Sequence, residues 1–309
     1  MPAAFAHITA VNLATDTNHL NHFDLHPEAY DALLEYFEYC ELGSVSPDYP
    51  YLSFTKSNTK WADHMHTGMR TVYMFESGVR AIRAIADPQE KKKAFAWFCG
   101  FVSHIIADMV LHPVIELKVG PYEQNKSAHR ECELHQDVYI YQRLGIGPMG
   151  VGEKLHAGIE TCCDPEDEEK IDPVIARVWE LILNAVSPSE SFDRSMINTW
   201  HKGFIKTVSL IEETDKLLPL SRHLLSDALN VVYPLIEDLD KQFINKLLTP
   251  SKIRMDYDIL FDMAIQKIGE GWHLLADAVY GELDTTAIKL AGWNLDTGRD
   301  TANQLVYWA

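Results

Sequence analysis

Apolar residues recur at helical spacing along most of the chain. Over residues 27 to about 42, Tyr30, Leu33, Leu34, Phe37 and Cys40 fall on one face, with Pro27 near the start and Gly43 beyond the end. Residues 61 to about 85 predict another helix, closed by the break Asp87-Pro88, and about 91 to 111 a long, apolar one. Residues 127 to about 143 follow. Beyond them the pattern predicts helices near 173–186, 190–215, 221–248 and 256–280. No run alternates convincingly with period two, so the expected fold is all-α, a multi-helix bundle.

Between these segments lie breaks. Residues 43–51, Gly-Ser-Val-Ser-Pro-Asp-Tyr-Pro-Tyr, are rich in turn formers and predict a flexible loop presenting Asp48. Residues 145–152 carry four glycines but lack the Lys-Ser/Thr step of a phosphate-cradling loop. Residues 162–170, with Asp164-Pro-Glu-Asp-Glu-Glu169, read as an acidic, solvated connection. At 309 residues the chain can bury a large core. It reads as one all-helical domain, with a metal-binding core in 1–137 and a helical part, 170–309, that completes the bundle. The aromatic tail at 306–309 is expected to dock on the body.

Composition narrows the function. With 27 Lys and Arg against 45 Asp and Glu, the formal charge of -18 argues against a nucleic-acid partner, because phosphate backbones are held mainly by basic side chains. It does not exclude a phosphorylated small molecule, since bound metal ions invert the local field in a cleft. Five cysteines form no regular framework and read as reduced thiols. The apolar stretch 95–117 is interrupted by His104, Asp108 and His112, which a membrane span would bury at considerable cost. The beginning of the chain has no secretory leader pattern. A cytoplasmic protein without a transmembrane segment is therefore expected, with transient membrane-surface contact and oligomerisation left open.

The chemistry lies in that apolar helix and the next. His104-Ile-Ile-Ala-Asp108 runs on to His112, and His129-Arg-Glu-Cys-Glu133 repeats the spacing. Residues four apart lie on one helical face, so each pair aims an imidazole and a carboxylate at the same point. Pro113 biases His112 away from helical geometry, which would turn its ring inward. One such pair is equally a core histidine satisfied by a carboxylate. Two pairs so close together, with His112 between them, point instead to zinc and to more than one ion. His7 and Asp48 stand alone in their surroundings, as core and turn residues do. His64 and His66 flank Met65 on different helical faces, so at most one readily joins the cluster. The remaining histidines lack such company.

Taken in order, Met1-Pro-Ala-Ala-Phe-Ala-His7, His26-Pro-Glu-Ala-Tyr30, Gly43-Ser-Val-Ser-Pro-Asp48, Trp61-Ala-Asp-His-Met-His66, Gly100 through Pro113, and His129 through Glu133 resemble the zinc-dependent phospholipase C family. That group includes the bacterial phosphatidylcholine-hydrolysing enzymes and the catalytic part of glycosylphosphatidylinositol-specific phospholipase D. The resemblance spans about residues 1–137, with Asn294-Leu-Asp-Thr-Gly298 as a weak late echo. It implies an all-helical fold with a trinuclear zinc site at the base of a cleft. Asp48, His66 and His104 would hold one ion and Asp108 would bridge it to a neighbour. His112, His129 and Glu133 would hold another, and His7 would serve the third beside Asp108. Secreted members begin with a Trp whose amine reaches that third ion, whereas this chain begins with Met and has no Trp before Trp61. Two or three ions therefore stay open.

Two metals about 3.5 to 4 Å apart can share a water, lower its pKa and clamp an in-line displacement at phosphorus. Asp48 would act as both ligand and proton acceptor, and a third ion would neutralise phosphoryl oxygens. The expected activity is hydrolysis of a phosphodiester in a phospholipid or another small organic phosphate. Tyr49, Tyr51, Phe54, Tyr139 and Tyr141 would supply an apolar approach or grip a quaternary ammonium, if they are not ordinary core and rim residues. Against this stand a single-strand nuclease, disfavoured by charge, and a di-iron oxidase, which would use Glu-x-x-His spacing. A phosphohydrolase with an adjacent His-Asp dyad is disfavoured because that dipeptide does not occur. A non-catalytic, structural zinc protein is the remaining alternative.

Overall fold

The computed structural model describes residues 4–53, 56–145, 158–190, 192–216, 233–283 and 292–308. The helices are α1 (Ala4–Thr15), α2 (Thr17–Leu20), α3 (Pro27–Glu35), α4 (Phe37–Val45), α5 (Lys56–His66), α6 (Val72–Arg83), α7 (Pro88–Val119), α8 (Lys126–Tyr141), α9 (Pro173–Val186), α10 (Ser195–Lys216) and α11 (Tyr257–Val279). Short strands join them: β1 (Thr67–Gly68), β2 (Cys163–Asp164), β3 (Asp167–Ile171), β4 (Leu247–Leu248), β5 (Arg254–Met255), β6 (Trp293–Asn294) and β7 (Arg299–Asp300). The fold is all-α.

Helix α7 is the axis. Asp87 caps it by accepting from the Gln89 and Glu90 amides at 2.9 Å, Pro88 occupies its first turn, and every residue from Ala94 to Ile115 is buried. Helix α4 lies along one side of it and α11 along another. Trp272 of α11 donates its Nε1–H to the Cys99 carbonyl at 3.0 Å and to the Ser103 hydroxyl at 2.9 Å. Helix α1 packs on α4, α7, α8 and α11. One continuous apolar cluster runs from Ala6 to Leu295 and includes Trp97, Trp179, Trp200 and Trp272. The tail docks as expected, Trp308 donating to the Val110 carbonyl at 2.8 Å.

Several expectations are corrected. Residues 43–51 are not an irregular loop: Gly43 lies inside α4, and a 3-10 helix, Ser46–Ser53, carries Asp48. The glycine serves close helix approach rather than termination. A Cβ on Gly43 would sit 1.9 Å from the Trp97 carbonyl oxygen, and one on Gly100 would sit 1.9 Å from that of Cys40. Packing of α4 on α7 is therefore backbone against backbone, and it outweighs the turn preference of the local sequence. Helix α7 continues through Pro113 to Val119, because a helix buried so completely keeps its course despite the lost hydrogen bond. His112 is thus helical, not displaced.

The segment 27–42 is divided at Tyr36, and 61–85 at Gly68, whose φ of 115° only glycine adopts readily. The acidic stretch 162–170 includes the antiparallel pair β2–β3. The predicted helix 221–248 is not formed over 233–248, which holds two short 3-10 turns and β4 instead. Its first part, like 146–152 and Phe54, lies outside the described residues. All five cysteines are free. Among the described residues only α7 is long and apolar enough to cross a membrane, and 94% of its most apolar window is buried inside the protein.

Candidate metal centre

Helix α7 contributes His104, Asp108 and His112 on successive turns, and α8 contributes His129 and Glu133. Helix α1 brings His7, the 3-10 helix Asp48, and the last residue of α5 is His66. All eight are buried. Their ligating atoms converge in three groups: His7, His104 and Asp108; Asp48, His66 and His104; and His112, His129 and Glu133. Asp108 links them, lying 3.2 Å from His7, 3.3 Å from His104 and 3.4 Å from His112. His66 Nε2 is 3.1 Å from Asp48, while Glu133 is 3.1 Å from His112 and 3.3 Å from His129. His64 turns away to Glu190 at 3.0 Å.

The hydrogen positions decide what these contacts mean. His66 Nδ1 meets the Ala62 carbonyl at 2.8 Å, His104 Nδ1 that of Ser44 at 2.8 Å, and His112 Nδ1 that of Leu295 at 2.7 Å. A carbonyl only accepts, so Nδ1 carries the proton in each ring, and the neutral imidazole turns an Nε2 lone pair toward a carboxylate. Two acceptors facing each other need a cation between them. His104 Nε2, both nitrogens of His129, Asp48 Oδ1 and Asp108 Oδ2 are buried without a hydrogen-bond partner. Zinc bonded at about 2.0–2.2 Å in tetrahedral geometry sets its donor atoms about 3.3–3.6 Å apart, close to the spacings here. The donor set therefore fits zinc, with outer carbonyls fixing the rings as in known zinc sites.

Without a cation, protons take its place. Burial alone would depress the imidazole of His66, yet Asp48 close beside it holds it up at about 9. Burial likewise opposes charge on His112, but Asp108 and Glu133 hold it at about 10. Glu133, against its own burial, is kept down at about 2 by His129 and His112. Asp108 is held well below the usual carboxylate range by His112, His104 and His7, although burial acts the other way. Each group is biased toward the state in which positive charge lies between ring and carboxylate.

Two further residues escape sequence reasoning, and a third was marked only by the weak late echo. Asp137, one turn beyond Glu133, accepts from the Ala6 amide at 2.6 Å and the Tyr233 hydroxyl at 3.1 Å, tying the start of α1, and so His7, to α8. Only the helical spacing from Glu133 hinted at it. Asp137→Ala should cost about 1–3 kcal/mol by leaving buried donors unmet, read as a lower midpoint in chemical denaturation. Tyr122 stands edge-on to His129, ring centres 4.9 Å apart, with no signal in the sequence. Asp296, half-buried, lies in the late echo 294–298.

Among the aromatic residues expected at the approach, Tyr51 does flank His66, at 5.7 Å between ring centres. Tyr49 is a core residue stacked on Phe204, Tyr139 bonds Asp258, and Tyr141 is buried against Phe5.

Residues 6–188, more than half of the 309, match the family described as zinc-dependent phospholipase C. The chain belongs to that family. No curated protein and no solved structure matches the chain. The family and the three donor groups together support zinc as the metal. The matched region holds all eight candidate ligands, whereas Leu295 and Asp296 lie outside it.

Proposed function

We propose that the chain hydrolyses a phosphodiester bond, in a phospholipid or another small organic phosphate, at a centre of two or three zinc ions. The observation that supports this best is the continuity of the donor groups: His104 belongs to two of them, and Asp108 lies within 3.4 Å of donors in all three. Ions held so close together suit joint action on one phosphoryl group.

The one free lone pair of His104, on Nε2, would serve one ion together with Asp48 and His66, His7 and Asp108 would serve a second, and His112, His129 and Glu133 the third. Bound zinc supplies Lewis acidity to a water and to the phosphoryl oxygens. The chain's own contribution is to hold that water and to receive its proton at Asp48, whose 3-10 helix keeps the carboxylate fixed beside His66. Tyr51 and Tyr122, set against His66 and His129, form walls that orient the ester and narrow access for bulk water. A substrate anion entering this acidic neighbourhood depends on the ions for its binding. We further propose that residues 1–309 work as one domain and that the protein acts in the cytoplasm.

Elemental analysis of protein purified without added metal should give two or three zinc ions per chain. Removing them with a chelator should abolish hydrolysis of a phosphatidylcholine and a simple phosphodiester alike, with zinc restoring it. Iron in their place would turn the case to an oxidase, and a chain without metal would speak for a non-catalytic relative.

A further inference from the structure

The segment 292–308 returns to the centre from outside the family-matched region. Its β6 pairs with β1, Asn294 opposite Thr67 and Trp293 opposite Gly68, and β7 pairs back on β6. Leu295, fully buried, is pinned on both sides: its amide donates to the His66 carbonyl at 2.8 Å, and its carbonyl accepts from His112 Nδ1 at 2.7 Å. Gly298 rests on α7, where a Cβ would come within 2.3 Å of the Pro113 ring, and its φ of 65° also favours glycine. The residue after Leu295 is therefore held between the His66 side and the His112 side of the centre. That residue is Asp296. From there its carboxylate is close enough to interact electrostatically with His66, His112, Asp108 and His129, and with Tyr51 and Tyr122.

We propose that Asp296 is a further acidic group of the metal centre, delivered by this strap to strengthen retention of the ions held by His66 and by His112 with His129. The inference rests on reading the eight donors as zinc ligands. It is carried by the double anchorage of Leu295 to two of those histidines. The His129 nitrogens and Asp108 Oδ2, buried without a satisfied hydrogen bond and close to other would-be acceptors, give a cation its place there. An additional carboxylate close to the ions raises the electrostatic cost of losing them, as outer partners of zinc ligands commonly do. It also explains why a strap distant in sequence is fastened so firmly to the donors.

The test compares the full chain with Asp296→Asn, which keeps the side-chain shape and removes the charge. Zinc affinity is measured by competition with a chromophoric chelator, together with ion count at saturation and the Tm of the metal-free forms. The expected result is the same count, an affinity weaker by about 10–100-fold, and an unlowered metal-free Tm, because the Leu295 anchors are backbone groups. Asp300→Asn is a second probe: on the same strap, that carboxylate accepts from the Ala302 and Gln304 amides at 2.9 Å. It should leave zinc affinity unchanged. Wild-type affinity in Asp296→Asn would overturn the proposal, and so would an equal loss in Asp300→Asn. If the wild type takes up no zinc at all, the reading of the centre fails and the inference goes with it.

Discussion

Asp108→Ala and His104→Ala are each expected to remove zinc and phosphodiester hydrolysis together while the helical fold survives. Asp108 is within 3.4 Å of three imidazoles from two helices, and His104 takes part in two donor groups. Losing an outer partner of a zinc ligand typically costs about 10–100-fold. Losing a ligand itself should cost more than the upper end of that range, beyond about 100-fold in activity. The metal-free Asp108→Ala protein should also be weaker by about 3–5 kcal/mol, because the rings facing Asp108 lose the buried charge that complements them. Zinc per chain, hydrolysis rate and far-ultraviolet circular dichroism read the three effects separately. Both variants retaining zinc and activity would refute the assignment of the centre.

Gly100→Ala is expected to be the most damaging substitution distant from any donor atom. The added Cβ would lie 1.9 Å from the Cys40 carbonyl oxygen and 2.7 Å from the Ser44 amide. Backbone atoms cannot swing aside as a side chain can, so α4 must move off α7. Overpacking of a core commonly costs about 1–3 kcal/mol, and a clash against backbone belongs at or above the upper end. The damage should reach the centre, because the Ser44 carbonyl orients His104 and the next turn carries Asp48. Denaturant unfolding and zinc titration of the same sample should both show a loss. A wild-type midpoint would mean that the two helices have slack at this crossing.

Much of the candidate centre was legible without tertiary structure, for a geometric reason. Spacing of four in a helix is a local property, so His104 with Asp108 and His129 with Glu133 declare their shared faces in the sequence itself. The all-α fold is legible through the same period. His7, Asp48 and His66 are different: each is unremarkable among its own neighbours, and only the order of motifs shared with the family singled them out. Asp48 was expected on a flexible loop, yet packing against α5 and α10 winds its segment into a 3-10 helix.

The rest depends on contacts between segments far apart in sequence. Gly43 reads locally as a helix stop and Pro113 as a helix breaker, and burial against other elements reverses both. Residues 233–248 carry an apolar pattern that reads as helix but form turns and a short strand. Leu295 and Asp296 give almost no signal of their own, because their role comes from a strap returning across 183 residues to His112. The sequence by itself determined the helical period and the pairing of imidazoles with carboxylates on α7 and α8. Tertiary structure alone decided which carbonyl fixes each ring and which carboxylates face it, because those partners are brought together by packing and not by spacing along one helix.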